Sequence, residues 1–146
     1  LIKLIAGQDI PHEGNVSVGS NLKISYMPQD TSHLSGSLQA FAEEASIDRT
    51  LFMAILRKLG FERVHFEKDI SALSEGQKKK ILLAKSLSES AHLYIWDEPL
   101  NYIDIQSRMQ IEELLLEYKP TMLFVEHVVV FAQKLATEEF VLPSEN

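Results

Sequence analysis

The chain has 146 residues, 45% of them hydrophobic and 24% charged, a balance that excludes a disordered chain and suffices for one modest core. It contains no cysteine, which excludes a disulfide framework and a thiolate metal site. Its longest apolar stretch, residues 51–56, is far too short to span a membrane, and a net charge of −7 argues against direct binding of DNA.

The first part of the chain predicts one short helix and two short strands. Residues 1–6 favour a helix, and Gly7 suits the position after its end. This helix lacks an N-cap and an initiator Met, so we expect the chain to be a fragment that begins inside a helix. Residues 15–18 and 22–27 alternate apolar and polar side chains, which predicts two strands joined by a turn.

The middle of the chain, residues 35–73, predicts a helical insert. Two runs of apolar side chains there recur at helical spacing. A loop is expected over residues 62–72. Ser74 is suited to cap the next helix, which is expected to run to about Ser88.

The last third predicts strands alternating with helices. Residues 93–96 and 122–125 are short apolar runs, residues 140–142 form a third, and amphipathic segments separate them. Trp96 is assigned to the core. Short apolar strands that alternate with amphipathic helices are typical of an α/β fold whose mostly parallel sheet is covered on both faces.

Polar side chains follow two of these strands, at the position where open parallel sheets bind ligands. The first strand delivers Asp97 and Glu98, and the second delivers Glu126 and His127. If the two strands are neighbours, two carboxylates and an imidazole converge on one crevice. An apolar strand followed by Asp-Glu suits nucleotide hydrolysis, in which the Asp holds Mg²⁺ through water and the Glu orients or deprotonates the attacking water. Taken alone, the pattern also fits a solvated acidic turn.

Residues 73–77 offer a second candidate site at the start of a helix. The Ser74 hydroxyl and the Gly76 backbone are suited to bind an anion there. The alternative is an ordinary capped helix, in which Ser74 and Gln77 form a capping box. The motif lies about twenty residues before the acidic pair, and this combination is hard to match by chance.

Together, these motifs resemble those of ATP-binding-cassette (ABC) ATPase domains. Residues 73–77 resemble the signature motif LSGGQ, residues 93–98 resemble the Walker B strand with its catalytic Glu, and residues 100–104 resemble the D-loop. Gln29 stands where the Q-loop glutamine belongs, and His127 where the switch histidine belongs. The resemblance covers nearly the whole chain. It implies a P-loop NTPase-like nucleotide-binding domain with a helical subdomain.

The sequence also departs from the family pattern. It contains no G-x-x-x-x-G-K-[ST] phosphate-binding loop, and in the family this chain's first residue would lie just after that loop. We therefore expect an N-terminally truncated ABC domain over residues 1–146 that is inactive by itself. Its expected parts are an α/β body, residues 1–29 and 74–146, and a helical lobe, residues 30–73. Glu75 replaces the first Gly of the signature, and Val128 replaces the usual Asp after the switch His.

The resemblance implies ATP and Mg²⁺ as cofactors. The implied catalytic residues are Glu98, as the base, and His127, on the γ-phosphate. The other implied contacts come from Gln29, Ser74, Gly76, Gln77 and Asp104 for the nucleotide, and from Asp97 and Gln29 for Mg²⁺ through water. ATP would lie between this domain and a second ABC domain, in the same chain or in a dimer. Ser74 and Gly76 would bind the γ-phosphate of the partner domain's ATP, and Asp104 would couple the two sites.

A subgroup is also suggested. Residues 98–104 look like the EPTNHLD of the ABC-F group, whose members carry two such domains and act on ribosomes. Leu100, Tyr102 and residues 125–127 look more like its antibiotic-resistance branch. The resemblance implies a cytoplasmic protein that enters the ribosome and displaces antibiotics. Two alternatives stay open: the ATPase subunit of a membrane transporter, and a non-catalytic ABC-like scaffold, against which the catalytic pair argues.

The only basic run in the sequence is Lys78, Lys79 and Lys80. We interpret it as a solvated helix face rather than an RNA-binding patch. Any RNA contact is then expected to be local or to lie outside this chain.

Overall fold

The computed structural model describes residues 1–143, and its centre is a parallel β-sheet. The strands are β1 (Ile24–Met27), β2 (Leu93–Asp97) and β3 (Met122–Val125). Among the described residues β2 lies between the other two, and both pairings are parallel. The predicted α/β class is confirmed. Because the strands run in the same direction, their carboxyl ends lie at one edge of the sheet.

Helices account for most of the remaining regular structure. They are α1 (Ile2–Ile5), α2 (Leu38–Glu44), α3 (Arg49–Lys58), α4 (Arg63–Phe66), α5 (Glu75–Ser88), α6 (Ile105–Tyr118) and α7 (Val129–Leu135), with a 3₁₀ turn at Ile70–Ala72. Within residues 1–143, every helix is too short or too polar to cross a bilayer. The expected end of α1 is confirmed, since Gly7 follows it with a left-handed φ of 88°.

Helices α2, α3 and α4 lie between β1 and α5 in the chain. The side chains of Ser37 and Asp48 accept backbone N–H groups from the first turns of α2 and α3, so the polar residue before each helix fixes its start. The rings of Phe41 and Phe52 pack with their centroids 5.8 Å apart. Helix α3 also packs against α5. One continuous cluster of buried apolar side chains therefore joins these helices to the sheet.

Trp96 is fully buried in that cluster, as expected from its position in an apolar strand. Its indole N–H donates to the hydroxyl of Ser86, which is on α5, at 2.8 Å. A buried indole needs such a partner, because an unpaired N–H would carry its full desolvation cost. The contact fixes how α5 lies against β2.

Two predicted strands are wrong. Residues 15–18 and 140–142 form no strand, and β1 begins at Ile24 rather than at residue 22. The side chains of Val16 and Val18 are exposed. Alternation of apolar and polar side chains predicts a strand only when a neighbour supplies the ladder hydrogen bonds. No such neighbour for residues 15–18 occurs within residues 1–143.

The predicted loop over residues 62–72 is also wrong in part, because it contains α4 and the 3₁₀ turn. Helix α4 is started by a capping box in which the Glu62 side chain accepts from the first turn and the His65 ring accepts the Glu62 N–H at 2.9 Å. Histidine stands where Glu or Gln is usual, so the pattern of residue types did not reveal the box.

Candidate active site

Four polar side chains lie at the carboxyl edge of the sheet: Asp97, Glu98, Glu126 and His127. The backbone N–H of Glu98 donates to the Val125 carbonyl oxygen at 2.9 Å, which ties the end of β2 to the end of β3. Glu98 has a φ of 48°, a left-handed conformation that is unfavourable for a residue with a side chain. The two strand ends therefore converge, and surrounding contacts hold Glu98 in a strained position.

The Glu98 carboxylate is held from two sides and remains open to solvent. One oxygen lies 3.0 Å from Nε2 of His127, and the other accepts from the Asn101 amide at 2.6 Å. Hydrogen bonds from Asn101 and then His127 hold the pKa of Glu98 below its ordinary value, with a smaller contribution from Gln29. Its side chain is 21% exposed. A carboxylate in this setting is ionised at neutral pH and can accept a proton from water.

Asp97 differs from its neighbour, because it is almost completely buried. Burial raises the pKa of Asp97, the charge of Glu98 raises it further, and Lys3 and Lys79 partly offset both effects. Within residues 1–143 its carboxylate accepts no hydrogen bond that offsets this burial. A cation placed beside Asp97 would therefore stabilise it strongly.

These side chains suit a Mg²⁺ ion that keeps most of its water. The described residues hold no group of three or more His, Cys, Asp or Glu side chains that could cage a metal. Mg²⁺ commonly uses one or two carboxylates together with water and substrate phosphates. The unpaired, buried carboxylate of Asp97 fits that role. Gln29 follows β1 at the same edge, is exposed, and lies close enough to Glu98 to lower its pKa.

Glu126 and Asn101 make hydrogen bonds in the site that the sequence motifs did not predict. The Glu126 carboxylate accepts the backbone N–H of Leu100 at 3.0 Å and that of His127 at 2.8 Å. It therefore joins the segment after β2 to the segment that carries His127. Val128, at the N-cap of α7, provides no side-chain cap, and Glu126 accepts its N–H instead. An acidic residue just before an uncapped helix was the available sequence signal.

The start of α5 forms the capping box that the sequence left as an alternative. The N–H of Gln77 donates to the Ser74 hydroxyl oxygen at 3.2 Å, and the Gln77 side chain accepts the Ser74 N–H at 3.0 Å. Ser74 is exposed. Its hydroxyl proton is not used in the box, so an anion can still receive it.

Gly76 has a packing role. A Cβ atom built on Gly76 would lie 2.5 Å from the carbonyl oxygen of Tyr102, a distance that real Cβ atoms essentially never show. Only glycine lets the first turn of α5 lie this close to the backbone of the segment after β2. This contact brings the predicted signature motif and the predicted D-loop together.

Asp104 and Lys80 reinforce the same contact. The Asp104 side chain caps α6 by accepting the Ser107 N–H at 2.8 Å, and it pairs with the Lys80 ammonium at 2.7 Å. Burial by itself would raise the pKa of Asp104, but the hydrogen bonds from Lys80 and Ser107 and the Lys80 charge hold it well below its usual range. Asp104 is therefore part of a fixed link between α5 and α6.

The interpretation of the three lysines as a solvated face is wrong for Lys79, which is 2% exposed. Lys78 and Lys80 are partly buried and form ion pairs with Glu75 and Asp104. Lys79 points instead to the ends of β1 and β2, where its ammonium lies near two backbone carbonyl groups. Three lysines in a row cannot all face solvent on a helix that is packed on two sides.

Comparison with known proteins agrees with these motifs. The family model described as ABC transporter matches residues 1–101. The ribosome protection protein VmlR of Bacillus subtilis is 32% identical over 145 residues, which are 97% of this chain and 26% of VmlR. The ABC transporter F family member 2 of Arabidopsis thaliana is 30% identical over 141 residues, which are 92% of this chain and 21% of that protein. The chain spans about a quarter of the length of the curated relatives it matches.

A solved structure supports the fold. The archaeal ribosome recycling factor, crystallised with the archaeal ribosomal stalk protein, superposes with a TM-score of 0.72 at 24% identity. The match covers 92% of this chain and 27% of that chain. At this identity the likeness concerns the fold alone.

Proposed function

The chain belongs to the ABC transporter family, its relatives include ABC-F proteins, and from that premise we propose that it is the ATP-binding and ATP-hydrolysing cassette of an ABC-F type protein that acts on the ribosome in antibiotic resistance. ATP and Mg²⁺ would be its cofactors. A ribosomal role would place the protein in the cytoplasm. The division into a body, residues 1–29 and 74–146, and a lobe, residues 30–73, stays a prediction.

The observation that carries the hydrolytic part of the proposal is the setting of Glu98. Its carboxylate has a lowered pKa, is held by Asn101 and His127, and remains partly open to solvent next to the buried Asp97. A general base must be ionised, oriented and within reach of water. A plain acidic turn would need none of these contacts.

In the reaction, the oxygen of a water molecule would attack the γ-phosphorus while the bond to the β–γ bridging oxygen breaks, which yields ADP and phosphate. Glu98 would accept the proton that the water loses. His127, which is exposed beside Glu98, would donate a hydrogen bond to the γ-phosphate. Mg²⁺, held through water by Asp97 and Gln29, would neutralise charge on the phosphate oxygens.

The start of α5 would serve a second ABC domain. Ser74 is exposed and its hydroxyl proton is free, so it can donate to the γ-phosphate of ATP held by the partner domain. Gly76 and Gln77 would lie beside that phosphate. Asp104, fixed by its ion pair with Lys80, would couple the binding of the partner domain's ATP at α5 to the segment after β2.

The ribosomal part of the proposal is supported by similarity to the ribosome protection protein VmlR and by the D-loop residues 100–104. The mechanism would be conformational selection, because ATP between two domains favours a closed form and the closed form would fit the ribosome. Blocked hydrolysis should then trap the complex.

The test is co-sedimentation of the whole protein with bacterial ribosomes in the presence of ATP. We expect Glu98→Gln to co-sediment more strongly than the parent protein, because the closed form accumulates. Glu117→Gln is the matched control, since Glu117 lies exposed on α6.

The outcomes separate the alternatives. Recovery of the Glu98→Gln protein in membranes with a permease would support a transporter subunit and contradict the ribosomal role. If Glu98→Gln and the parent protein are recovered in equal amounts in the ribosomal and membrane fractions, and the parent does not turn over ATP, the result would support a non-catalytic scaffold.

A further inference from the structure

Lys79 is a buried cation at the centre of the carboxyl edge. It is 2% exposed, and its ammonium lies 3.4 Å from the carbonyl oxygen of Pro28 and 3.5 Å from that of Asp97. These distances are long for hydrogen bonds, so the attraction is mainly between the charge and two carbonyl dipoles. Pro28 directly follows β1, and Asp97 is the last residue of β2. One side chain of α5 thus bridges the ends of two strands.

Burying an ammonium group is costly unless nearby groups compensate it. Burial lowers the pKa of Lys79, while the carboxylates of Asp97, Glu98 and Glu126 oppose that shift. The charges of three acidic side chains at the edge therefore favour the charged form of this buried ammonium. A neutral side chain of the same length would fill the space without balancing this charge.

A second contact joins α5 to the same segment. The hydroxyl of Thr31, two residues after Gln29, donates to the Glu75 carboxylate at 2.5 Å, and Thr31 is buried. Helix α5 thus contacts the Gln29 segment on both sides, at Pro28 through Lys79 and at Thr31 through Glu75. Glu75 stands where the family signature usually has glycine, which has no side chain to accept this hydrogen bond.

We propose that Lys79 is a positioning residue, which ties the ends of β1 and β2 together and thereby holds Gln29 beside Asp97 and Glu98. The catalytic consequence rests on the proposed ATPase function. The structural consequence, a fixed distance between the two strand ends, does not.

The kinetic test compares Lys79→Met with Lys78→Met in the whole protein. Methionine keeps most of the side-chain volume and removes the charge, and within residues 1–143 Lys78 forms an ion pair with Glu75 at 3.6 Å. We expect Lys79→Met to lower kcat about 10- to 100-fold, because small displacements of catalytic groups have effects of this order. The KM for ATP should change by a smaller factor than kcat, since the variant displaces Gln29 but removes no group that is assigned to the nucleotide. The stoichiometry of ATP binding gives the fraction of molecules that are folded in each preparation.

The structural test is hydrogen–deuterium exchange in the same proteins. We expect faster exchange in Lys79→Met at the amides of residues 29–32 and at Glu98 and Leu100, whose N–H groups bond to Val125 and Glu126. Lys78→Met should exchange like the parent. If Lys79→Met does not fold, Lys79→Gln takes its place in both tests.

Unchanged exchange at both strand ends in Lys79→Met would overturn the proposal, whatever the ATPase result. Three other results would also overturn it: faster exchange throughout the domain, a loss of kcat that matches the loss of ATP-binding stoichiometry, and failure of both variants to fold. Each of them indicates that Lys79 has a general role in stability. A parent protein without ATP turnover would contradict the proposed function, while local exchange changes in Lys79→Met would still support the strand-end contact.

Discussion

The acidic edge of the sheet and the start of α5 use polar side chains in opposite ways. At the edge, Glu98 is held by neighbours but stays open, and the Asp97 carboxylate accepts no hydrogen bond within the described chain. At the start of α5, Ser74 and Gln77 satisfy each other's backbone groups, and Gly76 fits closely against Tyr102. Polar groups at the edge can therefore still bind ligands, whereas most polar groups at the helix start already have hydrogen-bond partners.

This difference indicates which region performs chemistry. An ionised carboxylate beside a buried, unpaired one gains free energy from a cation and from bound water. The capping box at the start of α5 already satisfies its backbone groups, so a ligand there can gain the Ser74 hydroxyl proton but meets no unpaired charge. This difference supports the proposal that bonds break at the edge and that the start of α5 contacts a second domain.

The largest effect on the helix start should come from Gly76→Ala. The added methyl group would overlap the Tyr102 carbonyl, and overpacking of this kind costs about 1–3 kcal/mol. Gly19→Ala is the control, because no atom lies within 4 Å of a Cβ at that position. Denaturant unfolding of the whole protein measures the difference. Equal stability of the two variants would contradict the close approach of α5 to the segment after β2.

A smaller effect is expected for Ser74→Ala, compared with Ser37→Ala. Each serine caps a helix, so each variant should lose about 1 kcal/mol of stability. Only Ser74 is proposed to reach the phosphate of a partner domain, so only Ser74→Ala should lower ATP turnover, by about tenfold. Steady-state ATPase assays measure this. Similar ATP turnover in both variants would contradict the proposed phosphate contact and leave Ser74 with the role of a helix cap.

The smallest effect is expected for Asp104→Asn, which keeps an N-cap and removes the charge that pairs with Lys80. Since the pKa of Asp104 is lowered on folding, the charge stabilises the protein above the ordinary Asp pKa of about 4. This stability is lost as the pH falls towards the lower folded value. The variant should be less stable by under about 1 kcal/mol at pH 7, because the aspartate is half exposed. Urea unfolding between pH 3 and 8 should show the difference shrinking under acid. A constant difference would contradict the ion pair.

The sequence predicted the features that depend on local pattern. The apolar run before Asp97 predicted β2, and Ser74 predicted the start of α5, since both follow from residues adjacent in the chain. The convergence of Glu98 and His127 required only that two parallel strands be neighbours, which the short apolar runs favoured.

Features that depend on distant partners were missed. Val16 and Val18 alternate like a strand, but pairing is decided by a neighbouring backbone, not by their own pattern. Lys79 is chemically identical to Lys78 in the sequence, and only its position over the ends of β1 and β2 buries it. The sequence placed Glu126 at the end of a strand, but it did not indicate that the Leu100 N–H donates to its carboxylate.

Binding and turnover of ATP by Glu98→Gln, measured side by side with Glu117→Gln, test most directly the claim that the acidic edge breaks the phosphate bond. Glutamine keeps the shape of Glu98 and removes its ability to accept a proton. We expect turnover to fall by at least about 100-fold while the Kd for ATP stays within about threefold of the parent. Turnover within about threefold of the parent would contradict the assignment of Glu98 as the base.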